Sequence, residues 1–241
     1  MSLGIISAPQ PEAAEAGADI LKAGGNAIDA AIGCALVQTI VDPQMCGIAG
    51  FGSMHIFKPR DEIHICLDFH GRAPLNATEE MWKDFIQEET EDGFGFILTN
   101  RANEIGYQSI TAPMSLNAFA TALEKYGTKS ISELIEPAIN YASQGFLIRP
   151  HVHYFWNLKE KTGRIPQIQK FQSNKVSRNL YFKKNGELLK PGDLLKNEDI
   201  SKTYRRIAKF GVKDFYFGKI AKEIVKDMEN NSGLINAKDL A

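Results

Sequence analysis

Gly24-Gly25-Asn26-Ala27-Ile28-Asp29-Ala30-Ala31-Ile32 is the stretch on which the reading of this chain turns. Two adjacent glycines end any helix that runs into them, because glycine takes the left-handed conformation without steric cost. Upstream, Ala13, Ala14, Ala16, Gly17, Ile20 and Leu21 recur at helical spacing, and Pro11 suits a first helical turn. Downstream, Asn26 is placed to cap a second helix, and Asp29 meets the positive end of its dipole three residues on. Ala27, Ala30, Ala31, Gly33, Cys34 and Ala35 make that helix small-sided nearly all round, so it is expected to be buried and closely approached by another element. Gly24 and Gly25 are therefore read as structural, forming the corner with at least one positive φ.

Beyond the second helix comes a glycine-rich loop, and then a change of period. Residues 53–57 and 62–69 read as strands, with Lys58-Pro59-Arg60-Asp61 as the turn. The second strand alternates strictly: Ile63, Ile65, Leu67 and Phe69 face one way, and His64, Cys66, Asp68 and His70 the other. Strands after two helices, with helices again downstream, make an α+β architecture. The acidic run 79–92 reads as a solvated helix. Residues 115–125 and 131–143 read as amphipathic helices ended by Gly127 and Gly145. Residues 151–172 look irregular and basic-aromatic, and 182–187 a tight turn. Pro191-Gly192-Asp193 leads toward helices at 201–210 and 214–228. There is no internal repeat and no composition break, so residues 1–241 are taken as one lobe. Met1-Ser2-Leu3 reads as a cloning remnant.

Composition narrows the class. A chain of 241 residues with 44% hydrophobic residues supports a sizeable core. A formal net charge of -1 gives no electrostatic case for nucleic acid or an anionic membrane as partner. No run is long and apolar enough to span a bilayer, and no basic-then-apolar leader opens the chain. An odd number of cysteines, Cys34, Cys46 and Cys66, leaves at least one unpaired. Cys34 and Cys66 stand in apolar runs and are expected to be buried free thiols. A reducing, cytoplasmic location is the corresponding expectation.

Three constellations could do chemistry. The loop Gly47-Ile48-Ala49-Gly50-Phe51-Gly52 has a helix before it and a strand after it, the reverse of a dinucleotide fingerprint, and no Gly-Lys-Ser/Thr follows. Gly47, Gly50 and Gly52 are read instead as structural glycines in a tight loop, with an active-site wall as the sharper alternative. The stripe His64, Cys66, Asp68 and His70 has chelating spacing, but a lone stripe rarely closes a coordination sphere, so no metal and no cofactor is expected. Arg72 follows Gly71 at a strand end. It suits either forked capture of a carboxylate or a structural surface salt bridge, and the residue alone does not choose. No Gly-x-Ser-x-Gly elbow or comparable triad is visible, so the chain has no identifiable nucleophile.

These segments, taken in order, resemble one family. Ser7-Ala8-Pro9-Gln10-Pro11, then Gly24 to Ala31, Val41-Asp42-Pro43 and Gly47-Ile48-Ala49-Gly50 match the opening of the large subunit of the γ-glutamyltransferases, or γ-glutamyltranspeptidases. Leu67-Asp68-Phe69, Ala73-Pro74, Glu136-Pro137-Ala138, Gly145-Phe146, Pro191-Gly192-Asp193 and Gly233-Leu234-Ile235 with Asp239-Leu240 follow in family order. The resemblance implies the four-layer αββα sandwich of the N-terminal-nucleophile hydrolases, incomplete in this chain. It also implies self-cleavage before a threonine that becomes the nucleophile of a small subunit, with its own α-amine as base. No catalytic residue is then expected within these residues. The partner would be the chain's own small subunit, and the substrate a γ-glutamyl or acyl amide. One departure stands out. The family's usual Arg-Glu-Thr-Ala-Pro is His70-Gly71-Arg72-Ala73-Pro74 here. His70 and Arg72 are thus the expected carboxylate-binding residues, and the pattern looks like the γ-glutamyltransferase-like and acylase-like branch. Glutathione-type amide hydrolysis or transfer is the leading expectation. A glutaryl or cephalosporin-type acylase is the alternative, and a non-catalytic scaffold lobe is the rival if the chain ends at Ala241.

Overall fold

A computed structural model describes residues 4–241. The reading of Met1-Ser2-Leu3 lies outside the described residues. Helix α1 (Pro11–Lys22) ends in a Schellman turn. Gly24 takes φ 82° and donates to the Leu21 carbonyl, and the Gly25 N–H donates to that of Ile20 at 2.9 Å. The chain then reverses into α2 (Ala27–Val41), whose N-cap is Asn26. The Asn26 Oδ1 accepts the N–H groups of Ile28 and Asp29, while Asp29 Oδ2 accepts the Asn26 N–H at 2.8 Å, a complete capping box. The two helices close through Gly33, since a Cβ there would collide with Ile20 of α1.

Helix α2 is the centre of the core. Ile32, Leu36 and Val37 are fully buried in it. On it pack α1, α3 (Ser115–Tyr126), α4 (Ile131–Leu134) and α5 (Glu136–Gln144), with α9 (Glu198–Phe210) behind α5. Tyr204 of α9 reaches Thr39 of α2 through a buried hydroxyl-to-hydroxyl hydrogen bond. Strands β1 (Gly52–Lys58) and β2 (Ile63–Phe69) pair antiparallel, from Gly52 opposite Phe69 to Lys58 opposite Ile63. A 3-10 turn over Pro59–Asp61 joins them, with Glu62 left-handed at φ 56°. Ile56 and Phe69 enter the core, Phe69 edge-on to Phe119 of α3. The opposite face, with His55, Phe57, His64, Cys66 and Asp68, is exposed.

The α+β reading holds, and several local expectations are corrected. Residues 79–92 form no α-helix. A 3-10 turn leads into β3 (Ile86–Glu89), which pairs with β4 (Phe96–Leu98) across a turn at Gly93, φ 71°. Asp92 fixes that turn by accepting from Thr90 and Phe94. The Arg164 guanidinium bonded to it holds its carboxyl far below the usual carboxylate range. Side-chain turn chemistry and a cross-chain ion pair override the helical charge pattern. Residues 131–143 split at Ile135, because Pro137 cannot donate within a continuing helix. Residues 151–172 hold two helices, α6 (Pro150–Trp156) and α7 (Gln167–Gln172), and α8 (Lys175–Tyr181) follows. Each is too short to show a period. What orders them is the cluster of Trp156, Phe171 and Tyr181, in which the last two rings stack at 4.2 Å. The expected helix 214–228 is two, α10 (Lys213–Phe217) and α11 (Lys219–Asn230), because Asp214 turns back against Gly218. A small pair, β5 (Phe146–Leu147) with β6 (Leu194–Leu195), ties α5 to α9. Cys34 is buried, but Cys66 is exposed, since nothing among the described residues covers its strand face.

Candidate functional site

The site forms where the Asp42–Gly52 loop meets the end of β2. Asp42 is 6% exposed, and its carboxylate accepts from Gln10 Nε2 at 3.0 Å and Gln38 Nε2 at 3.2 Å. Gln10 in turn bonds His151 Nε2 at 2.8 Å, so His151 serves the loop's foundation. The loop then spends its carbonyls on α3. Gly50 O accepts the N–H groups of Met114 and Ser115, and Ile48 O that of Leu116. Those are the donors a helix N-terminus would otherwise offer to a phosphate, so this loop is a wall and not an anion cradle. A Cβ on Gly50 would lie 3.0 Å from the Gly47 carbonyl, and one on Gly52 3.1 Å from the Phe69 ring, whereas Gly47 has open space. None of the three takes positive φ.

Gly47, Gly50 and Gly52 border a cavity of about 380 Å³ that also meets Gln38, Phe51 and Phe69. Cys46 lies on its wall, where burial pushes the thiol up to about 12, the nearby Asp42 charge adding to the effect. At its rim the Phe51 ring stands 5.4 Å from that of His70. The His70 N–H donates to Asp68 Oδ1 at 3.0 Å, with Nδ1 3.6 Å from the same oxygen.

Strand β2 ends at Phe69, so Arg72 lies beyond its alternation. Its carbonyl instead accepts the Ala112 N–H at 3.0 Å. Its side chain is exposed and enters no ion pair among the described residues. The structure thus groups His70 with the glycine loop through Phe51 and leaves Arg72 just beyond, outside the cavity wall. The stripe His64, Cys66, Asp68 and His70 is not a ligand set. His64 Nε2 bonds His55 Nε2 at 2.8 Å, and among the described residues no group of three or more His, Cys, Asp or Glu could hold a metal ion.

Sequence reasoning missed Phe51, Gln38 and Gly71. A Cβ at Gly71 would lie 3.0 Å from Thr111 Cβ and 3.2 Å from Phe51 Cδ1, so only glycine lets those residues close over the strand end. The signal available was the glycine immediately before Arg72.

The chain is similar to known proteins along nearly its whole length. The family model described as gamma-glutamyltranspeptidase matches residues 13–241. A glutathione hydrolase proenzyme of Bacillus subtilis (strain 168) is 33% identical over 98% of this chain and 37% of its own length. The acylase ACY 1 proenzyme of Pseudomonas sp. (strain SE83) is 32% identical over 100% of this chain and 41% of its own. The chain therefore spans about two-fifths of these relatives. The crystal structure of Helicobacter pylori gamma-glutamyltranspeptidase superimposes with a TM-score of 0.85 at 32% identity, covering 100% of this chain and 64% of that one.

Proposed function

The chain belongs to the γ-glutamyltranspeptidase family, and from that premise we propose that it is the large-subunit N-terminal part of an amide-cleaving hydrolase or acyltransferase. Residues 1–241 act as one lobe, complemented by a small subunit released by self-cleavage. The nucleophile is that subunit's N-terminal threonine, outside this chain. Its α-amine takes the hydroxyl proton, the oxygen attacks the amide carbon, and the amine leaves with the proton. Water or a second amine then releases the acyl group. The contribution of these residues is positioning. Arg72 holds a substrate carboxylate by a forked, charge-assisted hydrogen bond, with His70 beside it, so that the scissile amide meets the nucleophile in one orientation.

The observation that supports this reading is the exposed guanidinium, which has no acidic partner among the described residues and lies three residues past Phe69, a wall residue of the cavity. A structural salt bridge, the competing reading of Arg72, would have occupied it. The acylase reading draws on the ACY 1 relative and on the His70-Gly71-Arg72 departure. The complete gene product decides between them. It should process itself into two chains and cleave glutathione, a γ-glutamyl anilide or a glutaryl amide. Adding a dipeptide acceptor separates transfer from hydrolysis. An unprocessed product inactive on all three would overturn the proposal and favour a scaffold lobe.

A further inference from the structure

The cavity behind Phe51 says something about the substrate, on the premise that the amide-cleaving reading holds. Its volume of about 380 Å³ lies at the small end of ligand sites, which run from roughly 300 to 1,000 Å³. Apolar groups make most of its wall, among them Ala35, Met45, Phe51, Phe69 and Phe119. Of the polar groups there, the Thr39 hydroxyl is already committed to Leu36 O and Tyr204. Gln38 spends its Nε2 on Asp42, and its Oε1 is buried out of reach of solvent, so it offers the cavity no free acceptor.

The cavity is also joined to the carboxylate end. Phe69 lines it and Arg72 follows three residues later, so their Cα atoms are at most about 11 Å apart. Phe51 stands between them, against His70 on one side and the cavity on the other. An anion on Arg72 and an apolar group in the cavity are therefore within reach of one small molecule.

We infer that this enzyme selects amides whose carboxylate-bearing acyl part is followed by an apolar group of about phenyl size, seated behind Phe51. A γ-glutamyl compound of an aromatic amino acid is such a molecule; γ-glutamylglycine is not.

The test compares kcat/KM of the complete, processed protein for γ-glutamylphenylalanine and γ-glutamylglycine, which share the scissile bond. The aromatic dipeptide should be preferred about tenfold or more. Ala35→Leu fills the cavity from a helix position and should lower the aromatic rate about tenfold more than the glycine rate. Should that variant fail to fold, Met45→Ala, at a side chain 59% exposed, removes part of the wall and should erode the same preference. Equal rates for the two dipeptides overturn the inference and leave the amide-cleaving reading standing. If neither dipeptide is cleaved, the amide-cleaving reading is decided by the three substrates above, and the cavity is tested by fluorescence with 2-naphthylamine, an aromatic probe. Binding weakened by Ala35→Leu supports the site, and binding that is absent or unchanged overturns it. A normal substrate ratio with lost assembly in Ala35→Leu means that polypeptide fills the cavity, which also overturns it.

Discussion

At Gly25 a Cβ would lie 2.6 Å from Ile20 Cγ2 and 3.0 Å from the Ile20 carbonyl oxygen, and that oxygen cannot move without breaking the helix end. Gly24 has open space but sits at φ 82°. The neighbours therefore fail differently when replaced. Gly24→Ala should cost about 1 kcal/mol through backbone strain, and Gly25→Val about 1–3 kcal/mol through overpacking, both read by urea unfolding. Arg72 has the opposite profile. Its side chain is exposed, so Arg72→Lys should leave the unfolding midpoint unchanged. In the processed protein it should lower kcat/KM roughly ten- to a hundredfold, about 1.4–2.7 kcal/mol, because the fork is lost while the charge stays. Self-cleavage, which involves no free carboxylate, should continue at its normal rate. Normal turnover by the Lys variant would pass the anchoring role to His70 or to a residue outside this chain.

Between elements, the capping residues of α2 do more than start a helix. Asn26 Nδ2 donates to the Tyr126 carbonyl at the end of α3, at 2.7 Å. Asp29, fully buried, accepts from the Thr128 N–H and hydroxyl and from the Lys129 N–H. Burial by itself would raise the Asp29 carboxyl, but those bonds, with the one from Asn26, outweigh it and hold the group below its ordinary value. A lowered folded pKa means that the stabilisation is complete above the unfolded value, near pH 4, and is lost as pH falls through the folded one. Asp29→Asn presents donors to donors and should cost about 2–3 kcal/mol at neutral pH. The gap between wild type and variant should narrow below about pH 4. A gap that stays constant across that range would mean that the charge contributes nothing.

Across the whole molecule, the β1–β2 hairpin has one face in the core and one in solvent, and the cysteines report on that division. Among the described residues Cys66 is exposed, Cys46 partly covered and Cys34 buried. In the chain of residues 1–241 a thiol reagent should label Cys66 at once. Cys46 should follow slowly, since burial keeps its thiol protonated at neutral pH. Cys34, raised by burial, should react only on unfolding. If the small subunit covers this sheet face, as the proposed assembly requires, Cys66 should be protected in the complete protein. Equal labelling in both forms would place the partner elsewhere.

Local chemistry was enough to read the glycine corner, the Asn26 cap, the alternation of residues 63–69 and the helices flanking them. Each depends on residues within one or two turns of one another. The sequence also pointed to Arg72, because a glycine before an arginine at a strand end is a local pattern. Other features depended on distant partners. Arg164 turned the acidic run 79–92 into a hairpin, and Trp156, Phe171 and Tyr181 ordered three helices too short to show a period. Phe51 meets His70 and Gly71 because the hairpin brings residues 51 and 70 side by side. A sequence states which side chains can cap, turn or alternate. Only the closed chain decides which side chains, far apart in number, share a wall, and so which of them frame a site.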